Sequence, residues 1–358
     1  MKKAITLRDI ASRLGVNVST VSRALNPETR SMLASEQVAR VVAVAEALGY
    51  YPNRLAYALK KRKSFTVGAI IPDLNNPVFP PMMRGIQDEL DAQGYTLVAA
   101  NSDHDLAYEK RAVNKMRESL VDGLILATAR LGDVQVDQCL QNGLPLVLIN
   151  RTTNQPGVNA VVNDDAAGIS LAVEHLVGLG HRRIAHIGGV LDTSTGVERC
   201  KAFLESVGSC GAEFDDRLLV FVDQVTPEAG KKAFAMLLGR NTGFTAVVAM
   251  SDQVAIGCLD MMKEEGLRCP EDVSITGFND IPLVDRIDPP LTTLSIQSRR
   301  MGSEAAKLLI HVMGNKEHSG EVIKLQPSLV IRSSTGVPSI GSSSEAVKQA
   351  VVNQSRIR

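Results

Sequence analysis

The chain has 358 residues, no net charge (39 Lys and Arg against 39 Asp and Glu), and 44% hydrophobic residues. That length exceeds what one core organises, so two or three domains are expected, and no apolar run approaches the roughly 20 residues that span a bilayer, which sets membrane proteins aside. Five cysteines, an odd number without C-x-x-C spacing, read as reduced thiols and not as a disulfide or zinc framework.

The neutral total hides a division. Residues 1–63 hold twelve Lys and Arg against four Asp and Glu, a net +8, so the rest of the chain carries −8. A basic head on an acidic body points to a separate nucleic-acid module. The N-terminus, Met-Lys-Lys-Ala, runs into a polar helix and not into the apolar core of a secretion signal, so a cytoplasmic location is expected.

Taken in order, Thr6 is placed to cap a first helix, with Asp9 three residues on as a near capping box. Leu7, Ile10, Ala11 and Leu14 form its apolar stripe. Gly15 ends it, because glycine enters a left-handed turn without steric cost. Val16 plugs the turn, and Asn17 suits the cap of a second helix whose buried side holds Val21, Ala24 and Leu25. Val18, Ser19, Ser22 and Arg23 are left pointing outward. Two short helices joined by a tight glycine turn make a helix-turn-helix, whose second helix enters the major groove. Val18 and Ser19 stand where base edges are read. Arg23 suits either a bidentate contact to guanine or a phosphate. A loop, Asn-Pro-Glu-Thr-Arg, follows. Ser35 is then placed to cap a third helix with Val38, Val41, Val42, Ala45 and Leu48 apolar, closed by Gly49. In residues 50–63, Leu55, Ala56 and Leu59 share a face too small to hold an isolated helix.

The pattern Thr-Leu-x-Asp-Ile-Ala, then Gly-Val-x-x-x-Thr-Val-Ser-Arg-x-Leu-Asn, resembles the LacI/GalR family of bacterial transcription regulators. The resemblance runs from residue 5 to about residue 336. It implies contacts to double-stranded operator DNA from Thr6, Leu7, Asn17, Val18, Ser19, Thr20, Ser22, Arg23, Asn26, Tyr50, Asn53, Ala56, Leu59 and Lys60. It also implies that residues 51–63 are a hinge helix, ordered when two subunits meet on the operator. Leu59 matches the family's minor-groove wedge, and Leu55 a packing position.

From Ser64 the pattern changes. Apolar runs at Phe65–Ile71, Tyr95–Ala100, Gly123–Ala127 and Pro145–Ile149 alternate with helical stretches at 82–92 and 107–120. A second set follows: strands at 184–187, 218–222, 246–250 and 273–278, with helices at 196–207, 227–239 and 252–265. Near-continuous apolar strands between helices predict parallel sheets covered on both faces. Two such halves predict a bilobed α/β body with a cleft. The resemblance implies the periplasmic-binding-protein-like fold, in which the chain crosses between lobes three times. The expected organisation is a small all-α helix-turn-helix domain (1–50), a hinge helix (51–63) and an effector-binding core (64–337). Lobe 1 is set at about 64–162 and 292–321, and lobe 2 at 163–291 and 322–337. Residues 338–358 read as a disordered tail. That tail lacks the leucine heptad of tetrameric family members, so a homodimer is expected.

Ligands of open α/β sheets lie beyond the carboxyl ends of the strands. Asp73 and Phe79, in Pro-Asp-x-x-Asn-Pro-x-Phe, fall in the first such loop, and Asn101 and Asp103 in the second. Asn150, Thr195, Arg199, Val248, Ser251 and Asn279 complete the expected effector set. By the resemblance, Phe79 stacks on a ring and Arg199 clamps the effector. Asn279 stands where the family usually has an aspartate. Losing that charge opposite Arg199 suggests an effector with an acidic group, such as a sugar acid or sugar phosphate. If Asp280 binds instead, Asn279 is structural.

The expected function is a repressor of carbohydrate or sugar-acid metabolism genes, controlled by a small metabolite between the lobes. No cofactor or metal is expected. Gly-x-Gly-x-x-Gly, the Walker loop, Gly-x-Ser-x-Gly and His-Glu-x-x-His are all missing from the sequence, so no catalysis is expected. Two alternatives stay open: a solute sensor without a DNA role, against which the basic head argues, and a purine-responsive co-repressor-type regulator.

Overall fold

Helix α1 (Leu7–Leu14) starts where the Asp9 carboxylate accepts from both the amide and the hydroxyl of Thr6, each at 2.7 Å. Gly15, at φ 66°, then turns the chain, and the Val16 amide closes on the Ala11 carbonyl at 3.1 Å. Helix α2 (Val18–Leu25) follows, and α3 (Ser35–Ala47) begins on Ser35 itself with Ala34 at the cap. Ser35 is therefore the first helical residue and not the cap. Ile10, Ala11, Val21, Ala24, Val41 and Ala45 form a small shared core, the minimum that three amphipathic helices need to hold one another.

The computed structural model describes residues 5–26, 29–50, 63–315 and 320–339. The chain divides into two units after Ser64. The hinge stretch 51–62 and the tail from residue 340 lie outside the described residues.

The second unit holds two six-stranded sheets. The first is built from β1 (Thr66–Ile71), β2 (Thr96–Asn101), β3 (Gly123–Leu126), β4 (Leu146–Ile149), β5 (Asn159–Asn163) and β11 (Val322–Leu325), in the order β11-β5-β4-β3-β1-β2, all parallel. The second is built from β6 (Ile184–Gly188), β7 (Leu219–Phe221), β8 (Ala246–Ala249), β9 (Ser274–Asn279), β10 (Thr292–Ser295) and β12 (Ser328–Val330). Its order is β12-β10-β9-β8-β6-β7, and only the β10–β12 edge pair is antiparallel.

Helices cover both sheets: α4 (Phe79–Ala92), α5 (Leu106–Glu118), α6 (Val134–Gln141) and α11 (Ser298–Gly314) in the first lobe, α7 (Asp165–Gly178), α8 (Ser194–Ser209), α9 (Pro227–Gly239) and α10 (Asp252–Glu264) in the second. Each lobe has one helix pair in backbone contact through glycine. A Cβ on Gly302 of α11 would lie 2.0 Å from the Met82 carbonyl oxygen of α4. A Cβ on Gly257 of α10 would lie 1.9 Å from that of Pro227 on α9.

The lobe boundaries need one correction. Thr292–Ser295 belongs to the second sheet, paired with β9, and Val322–Leu325 to the first, paired with β5. Both strands were expected in the opposite lobe. The chain instead crosses at 163–165, 295–298 and 325–328. These crossings are tied side by side. The Asp164 amide donates to the Leu325 carbonyl at 2.9 Å, Gln326 Nε2 to Asp164 Oδ2 at 2.9 Å, and Gln297 Nε2 to the Gln326 carbonyl at 3.2 Å.

Candidate functional site

In the first unit, the outer face of α2 presents Val18, Ser19, Ser22 and Arg23, all exposed. Val18 is an apolar side chain left 41% exposed, which suits contact with a thymine methyl. Asn17 is exposed too. Its carbonyl accepts the Thr20 and Val21 amides at 3.0 and 3.2 Å, while its side chain makes no cap bond. Thr6 is exposed, and Thr20 and Asn26 are half-buried. Leu7 and Tyr50 pack against the head core, so they support the reading helix more directly than they face outward. Asn53, Ala56, Leu59 and Lys60 lie outside the described residues.

In the second unit, a cavity of about 300 Å³ opens between the two sheets at the carboxyl ends of their strands. Eight of the ten expected effector residues line it: Asp73, Phe79, Asp103, Asn150, Thr195, Arg199, Ser251 and Asn279. The loops are held in place by their own polar groups. Asp73 Oδ1 accepts the Asn75 amide at 2.9 Å, and Asn76 Oδ1 the Val78 amide at 3.2 Å. Ser251 caps α10 by accepting the Val254 amide at 3.3 Å.

The other two do not line the cavity. Asn101 stands behind the wall, accepting the Leu74 amide at 2.9 Å and donating to Asp103. Val248 is fully buried in β8 between β6 and β9, and its carbonyl accepts from His186 Nδ1 at 2.8 Å. Val248 lies inside β8, short of its carboxyl end, so its side chain stands on a helix-covered face of the sheet and not at the sheet's end.

Two role expectations also change. Phe79 is only 3% exposed. It belongs to the core at the start of α4 and offers the cavity an edge and not an open stacking face. Arg199 already has its partners. Its Nε and Nη2 both donate to Asp165 Oδ1, at 2.9 and 2.8 Å, and its Nη1 donates to the Met250 carbonyl at 2.5 Å. The guanidinium carbon sits 3.6 Å above the centre of the Phe278 ring. Both side chains of the ion pair are almost wholly buried. Arg199 thus forms the cavity floor and is not a free cation waiting for an acid. Asp280 is also committed, accepting from Arg332 Nη2 at 2.7 Å, so the aspartate beside Asn279 does not line the cavity. Asn279 does, at φ 116°, a backbone region that L side chains rarely adopt.

Among the lining residues that the sequence did not point to are His104, Arg151, Gln224 and Thr226. Thr226 did carry a signal, since Thr-Pro before a helical run marks an N-cap with proline at the first turn, and Thr226 accepts the Ala229 amide at 3.2 Å. Arg151 follows Asn150 directly at the end of β4. Burial, with the charge of Arg130 next, pushes its guanidinium down to about 10. Partial desolvation and then the charge of Arg151 lower the His104 imidazole below its ordinary value.

The loop that carries Asn279 is anchored by Asp252, whose Oδ2 accepts the Ile281 amide at 2.8 Å and whose Oδ1 accepts from the Thr293 hydroxyl. Burial pushes this carboxyl up to about 6, against the pull of those two hydrogen bonds. The folded state therefore binds the proton more tightly than the unfolded chain does. The stabilisation is complete below about pH 4 and is lost as pH rises through about 6. Asp252→Asn mimics the protonated group, accepting from Ile281 and donating to Thr293. In urea unfolding at pH 4, 5.5 and 7.5, the variant should gain on the wild type as pH rises, by about 3 kcal/mol in all. A stability difference that stays flat across the three pH values would refute this.

Comparison with known proteins gives two family matches. Residues 6–53 match the model of bacterial regulatory proteins of the lacI family, and residues 173–335 that of the periplasmic binding protein-like domain. The chain is similar to the HTH-type transcriptional repressor PurR of Aliivibrio fischeri (strain MJ11), 30% identical over 331 residues, 92% of this chain and 98% of that protein. It is similar to the HTH-type transcriptional regulator MalR of Streptomyces coelicolor, 34% identical over 338 residues, with 92% and 96% covered. Among solved structures it resembles the Lac repressor bound to ONPG in the repressed state, with TM-score 0.83 and 25% identity over 93% of this chain and all of that one.

Proposed function

The chain belongs to the LacI family of bacterial regulatory proteins, DNA-binding transcription regulators and not enzymes, and from that premise we propose that it is a homodimeric repressor controlled by a small polar metabolite held between its lobes. Each subunit sets the outer face of α2 into one half of a pseudo-palindromic operator. The hinge stretch, through Leu59, Lys60 and their neighbours, opens the centre of the site. It works in the cytoplasm, beside the DNA; among the described residues no helix is long and apolar enough to cross a membrane.

One observation carries the allosteric part of this reading. The cavity lies between two sheets linked, among the described residues, by three adjacent chain crossings. A ligand touching both lobes binds the closed form better than the open one, and that difference is what shifts a two-state equilibrium. The link to DNA is reciprocal: the metabolite and the operator change each other's affinity by the same factor.

A carbohydrate fits the lining better than a purine. Asp73, Asn75, Asn76, Asn150, Gln224 and Asn279 offer acceptors and donors suited to hydroxyls. The aromatic faces are taken: Phe79 is buried, and Phe278 is covered by Arg199. The test is to select operator sequences with the purified protein and then titrate the best duplex with and without candidate sugars. Binding to a palindromic site that a sugar changes supports the proposal. No sequence preference, or a preference no small molecule alters, would overturn it.

A further inference from the structure

One cation at the cavity has no hydrogen-bonded carboxylate of its own. Arg199 is matched by Asp165. Arg130, at the end of β3, is matched by Asp192 of the second lobe, whose carbonyl also accepts the Leu131 amide at 2.8 Å. Glu109 accepts the Thr128 hydroxyl at 2.8 Å, and burial pushes its carboxyl up. Asp73 and Asp103 are engaged by Asn75 and Asn101 in their own loops. Arg151 lines the cavity, and among the described residues no carboxylate or carbonyl accepts a hydrogen bond from it. Its Nε is shut off from solvent with no partner. A guanidinium nitrogen shut off without an acceptor is costly, and such an orphan beside a cleft points to a ligand group as its partner.

We propose that the cleft takes a polyhydroxylated metabolite with one anionic group, a carboxylate or a phosphate, and that Arg151 receives that group. The proposal rests on the reading of this cleft as the effector site. The anion meets the planar fork of Arg151, a geometry suited to either oxyanion. The hydroxyls meet the amides and carboxylates of the opposite wall. The acid expected from Asn279 and Arg199 thus has a different receptor. Arg199 is taken by Asp165, and Arg151 keeps donors that no carboxylate engages.

One rival partner is in view. Asp192 Oδ1 is also buried without a hydrogen-bond partner, and its charge is felt at Arg151. A bond from Arg151 Nε to that oxygen would satisfy one donor of five. The four Nη protons would remain for a ligand at the cavity, which Asp192 does not line.

The experiment uses the full chain. Its Tm is followed against gluconate, glucuronate and glucose 6-phosphate, against glucitol and glucose as their neutral counterparts, and against sodium sulfate at matched ionic strength. At least one sugar anion should raise Tm where its neutral counterpart and sulfate do not, and the carboxylate and phosphate arms tell which oxyanion is read. Arg151→Gln should weaken that response at least tenfold, with Arg151→Lys between.

Gln224→Ala, an exposed change on the opposite wall, separates the two ways of failing. A response to a neutral sugar that Gln224→Ala weakens keeps the cleft and overturns the anion proposal. A response to an acid that neither Arg151→Gln nor Gln224→Ala alters overturns the cleft as the site. Equal losses in Arg151→Gln and Asp192→Asn for a neutral sugar would show a latch between lobes instead. Silence across the panel also overturns the proposal.

Discussion

Arg199→Ala should lower the stability of the body by about 3–5 kcal/mol, a Tm drop of roughly 10 °C in a chain of this size. Arg199 joins three elements: Asp165 at the start of α7, its own helix α8, and the Met250 carbonyl after β8. Truncation strands a carboxylate that is only 3% exposed, and uncovers the Phe278 ring. The unmatched buried charge is the larger cost, because low-dielectric surroundings offer it no solvent. A double variant isolates that cost. Arg199→Met with Asp165→Leu removes both charges and keeps the volume, and it should recover most of the lost stability. If Arg199→Ala melts with the wild type, or the double variant melts no higher than the single one, the pair is not what holds these elements together.

Operator affinity should fall by about 10³-fold or more between 50 and 200 mM salt. Residues 1–63 carry twelve basic against four acidic residues, and a dimer brings two such heads to one site. Each phosphate neutralised releases counterions, so the logarithm of affinity falls linearly with the logarithm of salt. Fluorescence anisotropy with a labelled duplex reads the slope, and a nearly flat line would refute the claim that phosphate contacts supply most of the affinity. Arg23→Ala then separates the two roles open to that exposed side chain. If Arg23 holds a phosphate, the slope drops by about one per subunit for every sequence. If it reads guanine, the slope stays and discrimination at one position is lost.

The head was readable because its signals are local. Asp9, Gly15 and the stripe Leu7, Ile10, Ala11 and Leu14 each act within four residues of one another, and all agree. The central strands were readable for a related reason: runs such as Gly-Leu-Ile-Leu are apolar on both faces because helices cover both. The edges were not. Thr292–Ser295 and Val322–Leu325 are four residues each. Which sheet takes them depends on partners far along the chain, β9 for one and β5 for the other.

The loops that line the cavity were legible through the rule that ligands gather at strand carboxyl ends. The side chains' duties were not. Asp165, in the first turn of α7, carries no local sign of its task, and only the fold brings it to Arg199. The burial of Phe79 and the isolation of Arg151 are likewise properties of the packed interior.

The three adjacent crossings also bear on how new specificities arise. Tied to one another through Asp164, Gln297, Leu325 and Gln326, they leave the lobes one axis about which to swing, and a hinge of this kind moves rigid bodies without bending them. Ligands of different shape can then reach the same closed arrangement, provided they touch both walls. Recognition and response are therefore separable traits: substitutions on the rim can exchange one metabolite for another while the motion delivered to the DNA stays the same.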